Sequence, residues 1–133
     1  MHMDLKDNKQ NWKNSRFIDS FKYAFKGVQT VFQEERNMRT HVFLGTFVLI
    51  ACLFLHLQPS EWLWMILSIF LVLVIEVLNT IIENVVDLVT DNHFHPLAKK
   101  AKDMAAAAVL ITAGFAVIVA LIVLLPKIWK LLF

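Results

Sequence analysis

Three long stretches of this 133-residue chain contain no Asp, Glu, Lys or Arg. They run from Thr40 to Ser60, from Trp62 to Ile75 and from Met104 to Leu125. A helix needs about 20 mostly apolar residues to cross the hydrocarbon core of a bilayer. The first and third stretches reach this length. The second reaches it when its helix continues past Glu76 to about Val89.

Three prolines mark the ends of these stretches. Pro59 is expected to end the first span, because the residue before a proline disfavours helix. Pro96 suits the first turn of the third span, where its missing N–H group costs nothing, and Pro126 is expected to end that span. We therefore predict an all-α membrane protein, one domain of residues 1–133, with three transmembrane helices at 40–58, 61–89 and 97–125.

The composition excludes several other classes of protein. Hydrophobic residues make up 58% of the chain, far too many for a disordered protein. The single cysteine excludes a scaffold held by internal disulfides and a cysteine-based zinc cluster. A net charge of +2 is too small to suggest nucleic-acid binding. A soluble helical bundle is disfavoured, since three such apolar runs leave too little polar surface to cover them.

The basic residues predict how the spans are oriented. Eight Lys and Arg residues precede the first span, and three lie between the second and third spans, whereas Lys127 and Lys130 follow the third. Because Lys and Arg concentrate in cytoplasmic loops, we predict a multi-pass protein of the cell membrane with its N-terminus in the cytoplasm and its C-terminus outside.

The N-terminal region divides into two parts by composition. Residues 1–15 are predicted to be a flexible polar tail. Residues 16–35 place aromatic side chains at helical spacing on one side and lysines on the other, a pattern typical of an amphipathic helix in the membrane interface. The aromatic and basic positions are Phe17, Phe21, Phe25, Phe32, Lys22 and Lys26.

The second predicted span carries polar side chains where a bilayer disfavours them. Glu76, Asn79, Glu83 and Asp87 are spaced by three, four and four residues, so they share a stripe about 80° wide on a helix. A charged side chain at the bilayer centre costs about 2.5–3.5 kcal/mol even on the lenient insertion scale. Hydrogen bonding between helices, an ion or proton pathway and a catalytic site are the readings that remain open.

Carboxylate oxygens of this kind are ligands for Mg²⁺, which takes one or two of them together with water and substrate phosphates. Glu35, next to the first span, is predicted at the depth of Glu83 and could share a metal ion with it. Lys102 could neutralise phosphates, and Asp103 suits the start of a helix or an outer metal shell. His93 and His95 are expected in a solvated loop rather than at a metal.

No nucleotide-binding glycine motif is present, since the chain has glycines only at positions 27, 45 and 114. Any nucleotide would therefore be held through its phosphates by a metal ion and basic residues.

The acidic span also carries a family resemblance. Residues 76–87 read EVLNTIIENVVD and residues 101–110 read AKDMAAAAVL. Together with residues 23–27 and 35–39, they resemble the signature of the small bacterial membrane lipid kinases, the prokaryotic diacylglycerol kinases and undecaprenol kinases. The resemblance covers residues 16–125. It departs from the family pattern at residues 104–107, which read MAAA where a Gly or Ser is common.

This resemblance implies a homotrimer in the bacterial cell membrane, with active sites between neighbouring subunits. It implies transfer of the ATP γ-phosphate to a lipid hydroxyl group at the cytoplasmic face, with Mg²⁺ as cofactor. Glu76 matches the catalytic base, and Glu35 and Glu83 match the metal ligands. The positions that match nucleotide-binding or site-organising residues are Arg16, Tyr23, Asn79, Asp87, Lys102 and Asp103.

The resemblance also suggests a substrate. Residues 87–99 and 126–129 resemble the Gram-positive branch, which is associated with undecaprenol. Diacylglycerol is the alternative, because both lipids present one hydroxyl group on apolar tails and nothing physical in the chain separates them.

Overall fold

The computed structural model describes the backbone of residues 4–133 and the side chains of residues 16–133. This part of the chain is all-helical, and three of its four helices are long and apolar enough to cross a membrane, which confirms the predicted fold class. The helices are α1 (Asp4–Glu34), α2 (Arg36–Phe54), α3 (Pro59–Thr90) and α4 (Pro96–Leu132).

Helix α1 forms one compact unit, and residues 35–133 form a second. The helix begins at Asp4, within the segment 1–15 that the sequence analysis expected to be a flexible tail. Residues 4–15 contain neither Gly nor Pro, so nothing in their backbone stops a helix that extends from the amphipathic part. The first three residues of that segment lie outside the described residues. Along α1, the rings of Phe17, Phe21 and Phe25 are exposed.

The turn between α2 and α3 differs from the prediction. Helix α2 ends at Phe54 rather than at residue 58, and His56 then takes a positive φ of 49°. Pro59 does not end α2; it is the first residue of α3, where a helix needs no N–H donor. Gln58 precedes it as the N-cap, and its backbone N–H donates to the Glu61 carboxylate at 2.7 Å. This capping box fixes the start of α3.

The turn between α3 and α4 contains two residues in the left-handed region, Asp91 and Asn92. His95 then caps α4, because its Nδ1 atom accepts a hydrogen bond from the Leu97 N–H group at 3.2 Å. The loop histidine at position 95 therefore has a structural role at the start of α4, and His93 is exposed.

Helix α4 continues through Pro126 to Leu132, so the helix extends seven residues beyond the predicted end of the third span at residue 125. A proline removes one helical N–H donor, and membrane helices tolerate this where neighbours compensate. Next to this proline, the Lys127 Nζ atom lies 2.8 Å from a Glu61 carboxylate oxygen and donates to the His56 carbonyl at 3.4 Å. These contacts hold the last turns of α4 against the α2–α3 turn.

The hydrophobic core that joins the three spans lies away from the acidic residues. A small core of buried side chains joins them: Cys52, Met65, Val119 and Val123. At Gly45, α2 approaches α3 so closely that an added Cβ atom would lie 2.8 Å from Ile69 Cγ2. Many large apolar side chains remain exposed on the outer faces of the spans. Such faces suit a bilayer, whose lipid tails are as apolar as leucine.

Candidate active site on α3

Helix α3 presents its polar side chains on one face, and their burial decreases toward its C-terminal end. Glu76 and Asn79 are buried, with exposed fractions of 1% and 8%. Glu83 and Asp87 are only half-buried. Because these residues are three or four positions apart, the helix brings them onto one side. The face therefore runs from a buried carboxylate to two accessible ones.

The Glu76 carboxylate is the most unusual group on this face. Both of its oxygens are buried, and neither has a hydrogen-bond partner among the described residues. The Thr80 hydroxyl is close by, but it donates to the Glu76 backbone carbonyl instead, at 3.0 Å. A buried polar group without a hydrogen bond costs free energy. Packing alone therefore does not explain this carboxylate, because burying it without a hydrogen bond lowers the stability of the fold.

Three ionisable side chains act electrostatically on Glu76: His41, Glu35 and Glu83. The His41 Nε2 atom lies 4.0 Å from the Glu76 Oε2 atom, and the His41 side chain is 24% exposed. The structure therefore brings both predicted metal ligands into the electrostatic surroundings of the predicted catalytic base. His41 on α2 is therefore a close neighbour of this base on α3.

Asn79 and Glu83 form a hydrogen-bonded pair one turn apart. The Asn79 Nδ2 atom donates to Glu83 Oε1 at 3.0 Å, while the buried Asn79 Oδ1 atom has no partner among the described residues. This bond occupies one carboxylate oxygen of Glu83 and orients the group. Glu35 is the N-cap residue of α2, yet its side chain makes no capping hydrogen bond. The Glu35 carboxylate therefore does not cap its own helix.

Lys102 connects α4 to this face of α3. Its Nζ atom lies 2.6 Å from Asp87 Oδ1, and both side chains are half-buried. Asp103 has a different partner: its carboxylate pairs with Lys99, one turn earlier on α4, and both of these side chains are exposed. Lys102 is therefore joined to Asp87 on the polar face of α3. Asp103, the other residue predicted at the start of the third span, forms its ion pair within α4.

The two remaining predicted residues lie on α1. Both Arg16 and Tyr23 are exposed there, and the Lys26 ammonium group lies 6.0 Å from the centre of the Tyr23 ring. Their roles as nucleotide contacts stay predictions.

Sequence reasoning did not identify His41 as a neighbour of Glu76. The sequence offered one indication, a histidine close to the start of an apolar span, and such a residue is equally typical of the membrane interface. Only the packing of α2 against α3 reveals the pair. The ion pair between Lys127 and Glu61 is likewise visible only in the packed structure, because the two residues are distant in sequence.

The donor set on this face fits Mg²⁺. Glu35 and Glu83 offer hard carboxylate oxygens, which Mg²⁺ prefers, and this ion completes its coordination with water and phosphate oxygens. The described residues contain no group of three His, Cys, Asp or Glu side chains that could hold a metal ion. Mg²⁺ is commonly held by one or two carboxylates together with substrate phosphates and water, so it does not require a full set of protein ligands.

Comparison with known proteins identifies similar chains. The sequence model of the prokaryotic diacylglycerol kinases matches residues 22–124. A diacylglycerol kinase of Synechocystis is 45% identical over 85% of this chain, and the match spans 65% of that relative, just under two thirds of its length. An undecaprenol kinase of Bacillus subtilis is 42% identical over 94% of this chain and 99% of the relative. A diacylglycerol kinase of Escherichia coli is 36% identical over 87% of this chain and 91% of the relative.

Proposed function

The chain belongs to the prokaryotic diacylglycerol kinase family, and we propose that it transfers the terminal phosphate of ATP to the hydroxyl group of a membrane lipid. The observation that carries this proposal is the buried Glu76 carboxylate, which has no hydrogen-bond partner among the described residues and lies within the electrostatic range of Glu35 and Glu83. A base for a lipid alcohol must lie within the membrane, and a metal–phosphate site must lie beside it. This face of α3 offers both.

In the proposed reaction, a Glu76 oxygen accepts the proton of the lipid hydroxyl group. The hydroxyl oxygen forms a bond to the γ-phosphorus of ATP, and the bond from that phosphorus to the β,γ-bridging oxygen breaks, so ADP leaves. Enzymes catalyse such transfers mainly by positioning the reactants and stabilising charge. A general base placed in hydrogen-bond reach contributes a rate factor of about 10²–10⁴.

Glu35 and Glu83 would hold Mg²⁺, and the bound ion would neutralise phosphate charge during the transfer. Asn79 orients Glu83 through the bond at 3.0 Å. Lys102 is proposed to contact the phosphates, and Asp87 holds its ammonium group at 2.6 Å. Glu83 and Asp87 lie at the half-buried part of the α3 face, whereas Glu76 lies at its buried end.

We propose undecaprenol as the lipid substrate and undecaprenyl phosphate as the product. The support is the Bacillus subtilis undecaprenol kinase, which matches this chain over 94% of its residues and 99% of the relative. Diacylglycerol is the second candidate, because the relatives from Synechocystis and Escherichia coli are named diacylglycerol kinases. Phosphorylation of diacylglycerol would yield phosphatidic acid.

The proposal places the N-terminus and the accessible carboxylates at the cytoplasmic face, where ATP is available, and the C-terminus outside. The distribution of Lys and Arg supports this orientation. A homotrimer with active sites shared between subunits is part of the same proposal. The family resemblance of residues 76–87 and 101–110 supports the trimer. The Glu76 oxygens, which have no hydrogen-bond partner among the described residues, leave room for a group from a neighbouring subunit.

A mixing experiment tests shared sites. Subunits carrying Glu76→Gln and subunits carrying Asp103→Asn are each expected to have little activity alone. Asp103 pairs with Lys99 within α4 of its own chain, so a shared site would take Asp103 from a neighbouring subunit, and assemblies reconstituted from both variants would recover part of the activity. Activity that stays at the level of the separate variants would contradict a site shared through these two residues.

The substrate is tested with purified full-length protein in phospholipid vesicles that contain Mg²⁺ and ATP. Undecaprenol and diacylglycerol are supplied at equal mole fractions, and the phosphorylated products are quantified. A higher kcat/KM for undecaprenol supports the proposal, and a higher value for diacylglycerol reverses the substrate assignment. Proton flux across the vesicle without phosphorylation of either lipid would favour the ion-pathway alternative.

A further inference from the structure

The imidazole ring of His41 on α2 lies beside the candidate base on α3. Its Nε2 atom is 4.0 Å from Glu76 Oε2, and the His41 side chain is 24% exposed whereas that of Glu76 is 1% exposed. A hydrogen bond from nitrogen to oxygen spans about 2.7–3.2 Å, so the two atoms need to approach by about 1 Å. Catalytic hydrogen bonds are often long in the absence of substrate and shorten in the reacting complex. The pair is therefore within reach of a hydrogen bond.

A close approach of α2 to α3 holds His41 in this position. Gly45, about one turn after His41, lies so near α3 that an added Cβ atom would be 2.8 Å from Ile69 Cγ2. Ile69 lies about two turns before Glu76 on α3. The contact of Gly45 with Ile69 and the pair of His41 with Glu76 thus belong to one antiparallel interface between the two helices.

On its other side, the His41 ring borders an apolar cavity of about 310 Å³. Only His41 and Ser68 are polar among the residues that line it, and the Ser68 hydroxyl already donates to the Met65 carbonyl at 2.9 Å. An apolar side chain would suit this lining better than an imidazole, so packing does not account for a histidine here. The Glu76 carboxylate, whose oxygens have no hydrogen-bond partner among the described residues, does account for it.

The charges around Glu76 give a second reason for a donor. Glu35 on the α2 side and Glu83 on α3 also act on this carboxylate electrostatically, and like charges repel. A carboxyl group accepts a proton from an alcohol only in its ionised form. A hydrogen-bond donor beside the group stabilises that form and fixes the direction of its second oxygen.

We propose that His41 is a positioning residue for Glu76: its Nε2–H group donates to Glu76 Oε2 in the reacting complex and leaves Oε1 to accept the proton of the lipid hydroxyl group. The inference rests on the proposed lipid kinase function. His41 keeps its own proton throughout and does not touch the phosphates. It therefore acts on the rate of transfer through Glu76 and has little effect on how tightly either substrate binds.

Steady-state kinetics of the full-length protein in vesicles test this role. His41→Phe keeps a ring and removes the donor, so kcat is expected to fall by about 10–100-fold, the loss typical of a hydrogen bond to a charged group. The KM values for ATP and for the lipid should change by less than about twofold. His41→Gln, whose amide can donate, should retain more of kcat than His41→Phe. A wild-type kcat in His41→Phe, or a change confined to KM, would overturn the proposal.

His56→Asn is the matched control. His56 is an exposed histidine in the α2–α3 turn, away from Glu76, and asparagine tolerates its positive φ of 49°. Both kcat and KM should stay at the wild-type values in this variant.

Chemical rescue distinguishes a donor from a packing residue. His41→Ala leaves a space that added imidazole can enter, because the native side chain is 24% exposed. Imidazole is expected to raise the kcat of His41→Ala and to leave that of His41→Phe unchanged, since the phenyl ring fills the same space. An equal loss of kcat in His41→Gln and His41→Phe, without recovery of His41→Ala by imidazole, would identify a packing role and overturn the proposal.

The contact itself is measured without turnover, by NMR of isotope-labelled full-length protein in detergent. The His41 Nε2 resonance is expected to move in Glu76→Gln and to stay in place in Glu61→Gln, which alters a carboxylate in the first turn of α3. An unmoved resonance in Glu76→Gln would overturn the proposal whether or not the protein phosphorylates a lipid. A moved resonance in a wild-type protein that phosphorylates neither lipid would keep the contact and reject the kinase function.

Discussion

The Lys102 Nζ atom on α4 lies 2.6 Å from the Asp87 Oδ1 atom on α3, and this ion pair joins the two helices beside the candidate site. Both side chains are half-buried, so neither is fully screened by water. The pair holds a flexible ammonium group on the same side as Glu83 and Asn79. A phosphate that approaches this face would meet a lysine already in place, which lowers the entropy lost on binding.

Lys102→Met is expected to raise the KM for ATP by about tenfold, since a hydrogen bond to a charged group contributes about 1.5–3 kcal/mol. Asp87→Asn frees the Lys102 ammonium group and should give a smaller increase in the KM for ATP. The measurement is the initial rate of lipid phosphorylation at varied ATP concentration. Lys130→Met, which removes an exposed lysine near the end of α4, is the matched control and should leave the KM unchanged.

The double variant Lys102→Met/Asp87→Asn tests whether the two residues act together. Its KM for ATP is expected to equal that of Lys102→Met alone, because Asp87 acts through Lys102 and coupled residues are not additive. If the two increases multiplied, Asp87 would have a role independent of the lysine.

Glu83→Gln should raise the Mg²⁺ concentration for half-maximal activity by about tenfold or more, because one of two carboxylate ligands loses its charge. Asn79→Ala should also raise the Mg²⁺ concentration for half-maximal activity. Removal of a group that orients a metal ligand typically costs about 10–100-fold in metal affinity or activity. Titration of Mg²⁺ at saturating ATP measures both. Glu34→Gln changes an exposed carboxylate outside the site and is the control. An unchanged Mg²⁺ dependence in Glu83→Gln would remove this residue from the metal site.

Gly45→Ala is expected to destabilise the protein by about 1–3 kcal/mol, the usual effect of overpacking. Its new Cβ atom would lie 2.8 Å from Ile69 Cγ2, which is fixed to a branched carbon and cannot rotate away cheaply. Thermal unfolding in detergent gives the shift in Tm. Gly114→Ala is the matched control, because nothing lies within 4 Å of its added Cβ atom; its Tm should stay the same or rise.

A second substitution checks the cause of that loss. Ile69→Ala removes the methyl group that the new Cβ atom meets, so Gly45→Ala/Ile69→Ala should be less destabilised than the sum of the single variants. Strict additivity would show that Gly45 and Ile69 are not in contact in the folded protein.

The sequence predicted the number of spans because charge-free stretches of this length have few alternatives. It also placed Glu76, Asn79, Glu83 and Asp87 on one face, since that follows from helical periodicity. The ends of the helices were less certain. Pro59 and Pro126 can each start, end or interrupt a helix, and contacts distant in sequence decide among these roles.

Contacts between helices could not be derived from periodicity. The pairing of His41 with Glu76 depends on the relative rotation of α2 and α3, which Gly45 and Ile69 help to fix. Asp103 pairs with Lys99 because the two lie four residues apart on an exposed helix face. Spacing alone did not distinguish that pair from a contact with the α3 acids.

The most direct test of the account is phosphate transfer by Glu76→Gln, a substitution that keeps the size of the buried side chain and removes its capacity to accept a proton. The full-length protein is supplied with γ-labelled ATP, Mg²⁺ and undecaprenol in vesicles, and labelled lipid and bound ATP are measured separately. We expect the rate to fall by about 10²–10⁴-fold while the affinity for ATP changes by less than about twofold, since Glu76 does not contact the nucleotide in this account. Labelled lipid formed at the wild-type rate would contradict the role of Glu76 as the base.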